Sequence, residues 1–300
     1  MSKKRNIWKA VLIILLVPIT IFIVDMIYPI FKFDQKYIQM FLDTLLILIA
    51  VTCNFKFWKL KVDLFSTKHI VRQILNILPL LILMLFFRKF SNLGWPKTGW
   101  LAFVTILLVG IGEEYVYRGL LIAQLEKVLN SKPFLIVLIS SLSFGIIHIG
   151  NMLNVTNKWI VVAQMIVAAA SGMLYGTLYY ETHNLSLVIV FHIIDDLPTF
   201  FSKGTATAES LMPQSHVGGF LMITFVLFLI CSLVAFLQIK LNRVHFKKRS
   251  KWDWNKTGSF RSNQSSIRSK MFFLWIYLWV FNLKLHLLST IIEVLRRVRA

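Results

Sequence analysis

Two adjacent pairs of acidic residues lie inside strongly apolar stretches of the sequence, Glu113-Glu114 and Asp195-Asp196. A charged side chain at the centre of a membrane helix costs about 2.5–3.5 kcal/mol, so such residues are kept for function or are neutralised by partners. Buried carboxylates can act as general bases, bind a metal ion or relay protons. These two pairs are therefore the first candidates for chemistry.

The partner of Glu114 can be read from its spacing. Arg118 follows four residues later, on the same helical face, where a carboxylate and a guanidinium can pair. This pair either joins two helices or takes a direct chemical part, and the spacing does not choose between these roles. Glu113 lies about 100° around the helix and is free to face a different neighbour.

Two histidines occur in the same kind of apolar stretch. His148 ends the segment 144–148, and His192 precedes Asp195 and Asp196 by three and four residues. An isolated histidine on an apolar helix is more often a satisfied core residue than a catalyst. Two histidines and two acidic pairs on three separate apolar segments instead predict a shared polar site.

The segments that must position these residues are long and apolar. Of 300 residues, 57% are hydrophobic, and a membrane span needs about 20 mostly apolar residues. We therefore expect an all-α polytopic membrane protein of about eight helices, with a polar catalytic cavity between helices four, five and seven. The eight predicted spans are 8–31, 37–55, 70–87, 100–122, 133–149, 159–180, 184–201 and 217–239.

The charges are unevenly distributed. The chain has 33 Lys and Arg residues against 13 Asp and Glu, a net charge of +20. Between apolar spans, this excess favours acidic lipid headgroups as partners over nucleic acid. The Lys and Arg residues of the loops predict that both termini are cytoplasmic.

The order of spans and charges predicts four regions: 1–99 with three transmembrane helices, 100–201 as the helical core that holds the acidic pairs and the histidines, 202–239 as the final transmembrane helix, and 240–300 as a basic cytoplasmic tail. Within that tail, residues 271–300 are apolar again. They form either an in-plane interfacial helix, which Lys284 and His286 favour, or a ninth span.

Three motifs together resemble one known family. Glu113-Glu114-x-x-x-Arg118, Phe144-x-x-x-His148 and His192-x-x-x-Asp196 match, in order, the signatures of the intramembrane CAAX-prenyl-protease and bacteriocin-processing family, also called the Abi family. Each motif alone is common by chance, whereas three in order on apolar segments are specific. The resemblance covers roughly residues 100–201, and it implies that this region is the catalytic core.

The resemblance implies an intramembrane endopeptidase that hydrolyses a bond in a peptide or membrane protein. Glu113 with His148 would deprotonate a water molecule. His192 and Asp196 would stabilise the oxyanion, and Glu114–Arg118 would hold the first helix in register.

One residue departs from the family pattern. The last motif position is usually Asn in the prenyl-protease branch, and here it is Asp196. An ionised carboxylate cannot donate a hydrogen bond to an oxyanion. Asp196 is therefore protonated, orients His192, or helps to bind a metal. Zinc is one candidate, because Glu113, His148, His192 and Asp196 form a reasonable ligand set. No cofactor is favoured, since the compact His-Glu-x-x-His spacing is missing.

Two other functions compete with this interpretation. A rhomboid-type serine protease would use Ser171-Gly172 as its nucleophile segment, but it leaves the acidic pairs unexplained. A proton-coupled transporter, or a non-catalytic membrane immunity or scaffold protein, would also bury carboxylates and histidines. The abundance of Ile, Leu, Phe, Lys and Asn is typical of low-GC bacteria, so we expect a bacterial plasma-membrane protein. The family resemblance implies a role in bacteriocin self-immunity or peptide processing.

Overall fold

A computed structural model describes the fold over residues 3–31, 34–67, 70–88, 90, 93–94, 99–130, 132–153, 155–201 and 217–254. These residues are almost entirely helical, and the described part of the chain contains no strand. The α-helices are α1 (Lys3–Ile14), α2 (Leu16–Phe31), α3 (Gln35–Cys53), α4 (Ile70–Phe87), α5 (Gly99–Glu114), α6 (Ala123–Leu129), α7 (Pro133–Ile146), α8 (Lys158–Thr182), α9 (Leu185–Phe200) and α10 (Val217–Trp254).

Five helical stretches in the described residues are long and apolar enough to cross a membrane, or six if the bent pair α1–α2 counts as one span. The five are Gln35–Trp58, Gly99–Leu129, Pro133–Leu153, Lys158–Thr182 and Val217–Asn242. The prediction of an all-helical polytopic membrane protein is therefore confirmed, whereas the count of eight stays a prediction. Helix Ile70–Phe86 is apolar but shorter, and α9, over the predicted span 184–201, has 16 residues.

The first predicted span, 8–31, is not one continuous helix. α1 ends at Ile14 and α2 begins at Leu16, and the two helices are bent by 46°. Pro18 explains the break, because it has no N–H to donate to the carbonyl of Ile14 and its ring clashes with that carbonyl. The described chain therefore bends within the predicted membrane span 8–31.

Helices α7 and α8 pack closely through small residues. A Cβ atom built on Gly172 would lie 3.1 Å from Cα of Ser141, and one on Gly176 would lie 3.0 Å from Val137. On the facing helix, a Cβ on Gly145 would lie only 2.5 Å from the carbonyl oxygen of Met165. The small residues spaced by four along α8 thus allow the close helix approach that such spacing favours.

The chain after Glu114 changes its helical geometry. Residues Tyr115–Ile122 form a π-helical segment that continues α5 into α6, and residues 116–122 are all buried. Such wider turns are uncommon and often accompany functional sites. Arg118 lies in this segment, directly beyond the glutamate pair.

The N-terminal end of α9 is fixed by the loop between α3 and α4. The backbone N–H groups of Leu185 and Ser186 donate to the carbonyls of Asp63 and Leu64, at 3.1 and 2.9 Å. The side chain of Asn184 caps the helix by accepting from the N–H of Leu187 at 3.2 Å. These contacts satisfy donors that a helix terminus otherwise leaves unpaired.

Residues Met1–His245 form one compact unit, and the contacts described here lie within it. In the second unit, Phe246–Ala300, the backbone is described as far as Trp254, where α10 ends. α10 therefore extends past the predicted boundary at residue 239. The expected interfacial or ninth helix at 271–300 lies outside the described residues.

Candidate active site

His192, on α9, lies at the centre of the predicted site residues. Its Nδ1 atom is 2.6 Å from Oε1 of Glu114. Its Nε2 atom is 3.6 Å from Oε2 of Glu113 and 3.4 Å from Oδ2 of Asp196. The imidazole thus connects both glutamates of α5 with the carboxylate one turn later on its own helix. Because Glu114 accepts from Nδ1–H, Nε2 is the ring nitrogen left to face the cavity carboxylates.

Glu114 and Arg118 form a completely buried pair. Nη1 of Arg118 donates to Oε1 of Glu114 at 2.9 Å, and both side chains have 0% exposure. The same Oε1 atom faces His192, so Glu114 contacts the arginine and the histidine at once. The guanidinium also lies over the rings of Phe144 and Tyr175, at 4.3 and 5.5 Å. Glu114 therefore supports the helix junction and orients His192, which the spacing alone left open.

Glu113 and Asp196 are less enclosed than Glu114. Their side chains are 18% and 22% exposed, and both line a cavity of about 660 Å³. This volume is typical of pockets that hold small molecules or short peptide segments. The one-residue offset from Glu114 thus turns Glu113 towards the cavity, as the helical geometry predicts.

His148 reaches the same cavity from the end of α7. It lies in the 3₁₀ segment Ile147–Leu153, and its Nδ1 atom is 3.1 Å from the carbonyl oxygen of Phe144. If Nδ1 carries the proton and donates to this carbonyl, the Nε2 lone pair remains for another partner. Both His148 and Glu113 line the cavity.

The structure therefore brings all six predicted site residues to one place. Glu113, His148, His192 and Asp196 line the cavity, and Glu114 and Arg118 support it from behind. The cavity is larger than the predicted space between helices four, five and seven, which are α5, α7 and α9 of the structure. Side chains from α2, α3 and α8 also line it.

Sequence reasoning missed the partner of Asp195. Nε and Nη2 of Arg88, just after α4, donate to the two carboxylate oxygens of Asp195 at 2.6 and 2.7 Å. Asp195 is therefore held by an arginine from another segment, although it also lines the cavity. The two residues are 107 positions apart, and no helical spacing relates them.

Sequence reasoning also missed Tyr175. Its ring stacks on the His192 imidazole, with 5.6 Å between centroids and an angle of 4° between the planes. Tyr175 is 1% exposed, and among the described residues its hydroxyl has no hydrogen-bond partner. A tyrosine on a small-residue helix face near the motifs is the one sequence signal that points to it.

Zinc is the metal ion that the predicted ligand set Glu113, His148, His192 and Asp196 would suit. Within the part of the chain that the structure describes, no group of three or more His, Cys, Asp and Glu side chains is placed to hold a metal ion. His192 also directs one ring nitrogen to Glu114 rather than to the cavity.

Ser171 does not have the surroundings of an activated nucleophile. It lines the cavity, but its hydroxyl donates to the carbonyl of Val167, one turn earlier, at 3.0 Å. The contacts described for Ser171 include no histidine base. The rhomboid-type alternative therefore has no support in this geometry.

The fold and the site together define a polytopic helical membrane protein with a charged cavity between its helices. Residues 95–197 match the family model of the type II CAAX prenyl endopeptidases, described as Rce1-like. This match confirms the family resemblance that the three motifs indicate, over about a third of the chain. Comparison with curated proteins and with solved structures gives no match.

Proposed function

We propose that this protein is an intramembrane endopeptidase that hydrolyses a peptide bond in a peptide or membrane-protein substrate. One observation carries the proposal. His192 is held by Glu114 on one side and presents Nε2 to Glu113 and Asp196 on the other, at the wall of a large cavity. The match of residues 95–197 to a protease family supports the same chemistry.

In this proposal Glu113 and His148 activate the attacking water. Glu113 takes a proton from the water as its oxygen attacks the carbonyl carbon, and His148 holds the water through its free Nε2 atom. The tetrahedral intermediate then collapses, the C–N bond breaks, and Glu113 returns the proton to the leaving amine. Both residues are at the cavity wall, where a bound peptide would be accessible to them.

In this proposal His192 stabilises the oxyanion of the tetrahedral intermediate. When Nε2 carries a proton it can donate to the developing negative charge, and the contact of Nδ1 with Glu114 fixes the ring for this task. Asp196 lies 3.4 Å from Nε2 and accepts from it before substrate binds. We assign Asp196 an orienting role, which an ionised carboxylate can perform.

We propose that the water is activated without a metal ion. The test is the metal content of the purified protein, measured by mass spectrometry, together with the effect of chelators on cleavage. Stoichiometric zinc, with activity lost on chelation and restored by zinc, would contradict the proposal.

The cleavage proposal is tested with the variants Glu113→Gln and His148→Ala. Each should lower cleavage at least about a hundredfold while the protein stays inserted and folded, because general-base catalysis contributes roughly 10²–10⁴-fold. Lys61→Ala, an exposed side chain outside the cavity, is the control and should leave cleavage unchanged. Full activity of both site variants would favour the transporter or the immunity scaffold instead.

We further propose a bacterial plasma-membrane location with cytoplasmic termini, in which the basic segment 240–300 contacts acidic lipids. The physiological role would be bacteriocin self-immunity or peptide processing. Comparing membrane and secreted peptides from cells with the wild-type protein and with Glu113→Ala would test this role. An unchanged peptide population would argue against it.

A further inference from the structure

Among the described residues, all buried carboxylates but one have an arginine partner. Four acidic side chains are buried among the described residues: Asp43, Glu114, Glu181 and Asp195. Glu114 is bound by Arg118, Glu181 by Arg72 and Asp195 by Arg88. Within the described chain, Asp43 makes no ion pair.

Asp43 is instead bound by a neutral amide. Both of its oxygens accept from Nε2 of Gln39, one turn earlier on α3, at 3.1 and 3.0 Å. A hydrogen bond from an amide offsets part of the cost of burying a carboxylate, but it brings no opposite charge.

The position of Asp43 is at the cavity wall. Asp43 and Glu113 both line the cavity of about 660 Å³, although they come from different helices. Asp43 lies outside residues 95–197, so the family match does not include it.

Among the described residues, two lysine or arginine side chains line the cavity, and both already pair with a carboxylate. Lys36 lies two turns before Asp43 on α3, and its ammonium pairs with Asp34 at 2.8 Å. Arg88 uses Nε and Nη2 to hold Asp195. Within the part of the chain that the structure describes, the cavity thus has a carboxylate that no lysine or arginine pairs with.

We infer that Asp43 binds a cationic group of the substrate, an ammonium or a guanidinium, inside the cavity that Glu113 also lines. The inference rests on the proposed function, since it takes a peptide as the ligand. A lysine or arginine side chain, or a free amino terminus, would supply the missing charge and gain a charge-assisted hydrogen bond away from water.

The experiment measures peptide binding to protein that cannot cleave. The Glu113→Gln protein is placed in nanodiscs of zwitterionic lipid, so that acidic headgroups do not compete for cations. Four dye-labelled apolar peptides of equal length serve as probes: an acetylated peptide with one lysine, the same peptide with norleucine in its place, the norleucine peptide with a free amino terminus, and the acetylated peptide with glutamate.

We expect at least one cationic peptide to bind at least about tenfold more tightly than the acetylated norleucine peptide, and the glutamate peptide to bind most weakly. The lysine and free-amine arms distinguish a side-chain cation from a terminal one. Adding Asp43→Asn should remove the difference, and adding Asp43→Glu should keep it.

Asp25→Asn is the matched control, because Asp25 is an exposed acid on the neighbouring helix α2 and does not line the cavity. It should leave the preference unchanged. Equal binding of cationic and neutral peptides, no binding of any cationic peptide, or a preference that survives Asp43→Asn would overturn the inference.

Cleavage by the wild-type protein separates this inference from the proposed function. An Asp43-dependent preference without any cleavage would leave the cation site standing and refute the endopeptidase. Cleavage of the neutral and cationic peptides at equal rates, with equal binding, would refute the cation site alone.

Discussion

Arg88 and Asp195 form a two-fold hydrogen-bonded ion pair that joins the end of α4 to α9. Nε and Nη2 of the arginine donate to the two carboxylate oxygens at 2.6 and 2.7 Å. The Asp195 side chain is 8% exposed, so the arginine is its main source of compensating charge. Since His192 lies three residues before Asp195 on the same helix, this pair also fixes the position of the imidazole.

Replacing Arg88 by Ala should lower both stability and cleavage. Asp195 would keep a buried charge without a partner, and α9 would lose its attachment near His192. We expect a coupling energy of about 1–3 kcal/mol between Arg88→Ala and Asp195→Asn in a double-mutant cycle on unfolding. Lys61→Ala removes the exposed pair with Asp63 and should change stability by less than about 0.5 kcal/mol. If the effects of the two substitutions on the free energy of unfolding were strictly additive, the pair would not restrain α9.

The two adjacent glutamates should respond differently to the same substitution. Glu113→Gln should lower cleavage at least about a hundredfold with little change in thermal stability, because Glu113 faces the cavity and lies 3.6 Å from His192. Glu114→Gln should lower both the cleavage rate and the thermal stability, because Glu114 is fully buried and contacts Arg118 and His192 together. Cleavage rates and melting temperatures of the two purified variants check this. A Glu114→Gln protein of normal stability would argue against the structural part of its role.

Asp196 offers a test of the orienting role. Asp196→Asn keeps an oxygen that can accept from Nε2 of His192, so we expect it to retain at least about half of the cleavage rate. Asp196→Ala removes that oxygen and should lower the rate at least about tenfold. Cleavage rates of the two variants, measured at the same pH, test the orienting role. If Asn and Ala are equally inactive, the charge or the proton of Asp196 is required.

Gly145→Ala should destabilise the contact between α7 and α8. A Cβ atom there would lie 2.5 Å from the carbonyl oxygen of Met165 and 3.0 Å from Cβ of Ala169, so the two helices would have to separate. We expect a loss of about 1–3 kcal/mol, as for other overpacked sites. Gly150→Ala is the control, because nothing lies within 4 Å of the added atom. Equal melting temperatures for the two variants would contradict the close packing.

The sequence predicts those parts of the site that helical spacing determines. Glu114 and Arg118 are four residues apart and do pair, and Asp196 is four residues after His192 and faces it. Glu113 follows from its offset on the same helix. Pro18, inside the predicted span 8–31, is the sequence signal for the break between α1 and α2, which that span did not include.

Contacts between distant segments could not be predicted in this way. Arg88 meets Asp195 across 107 positions, and Tyr175 stacks on His192 from another helix. Asp43 carries no motif, and only the structure shows that it makes no ion pair among the described residues. Such contacts depend on how the helices are arranged in three dimensions, which a single sequence does not encode in its spacing.

Both ends of α9 are held by residues that lie outside the family match. One end of this helix is fixed by the carbonyls of Asp63 and Leu64, and the other by the guanidinium of Arg88. All three residues precede residue 95, where the family match begins. An excised fragment 95–197 would contain every motif residue, yet it would lose these attachments at both ends of α9. Part of what positions α9 therefore lies outside the residues that match the family model.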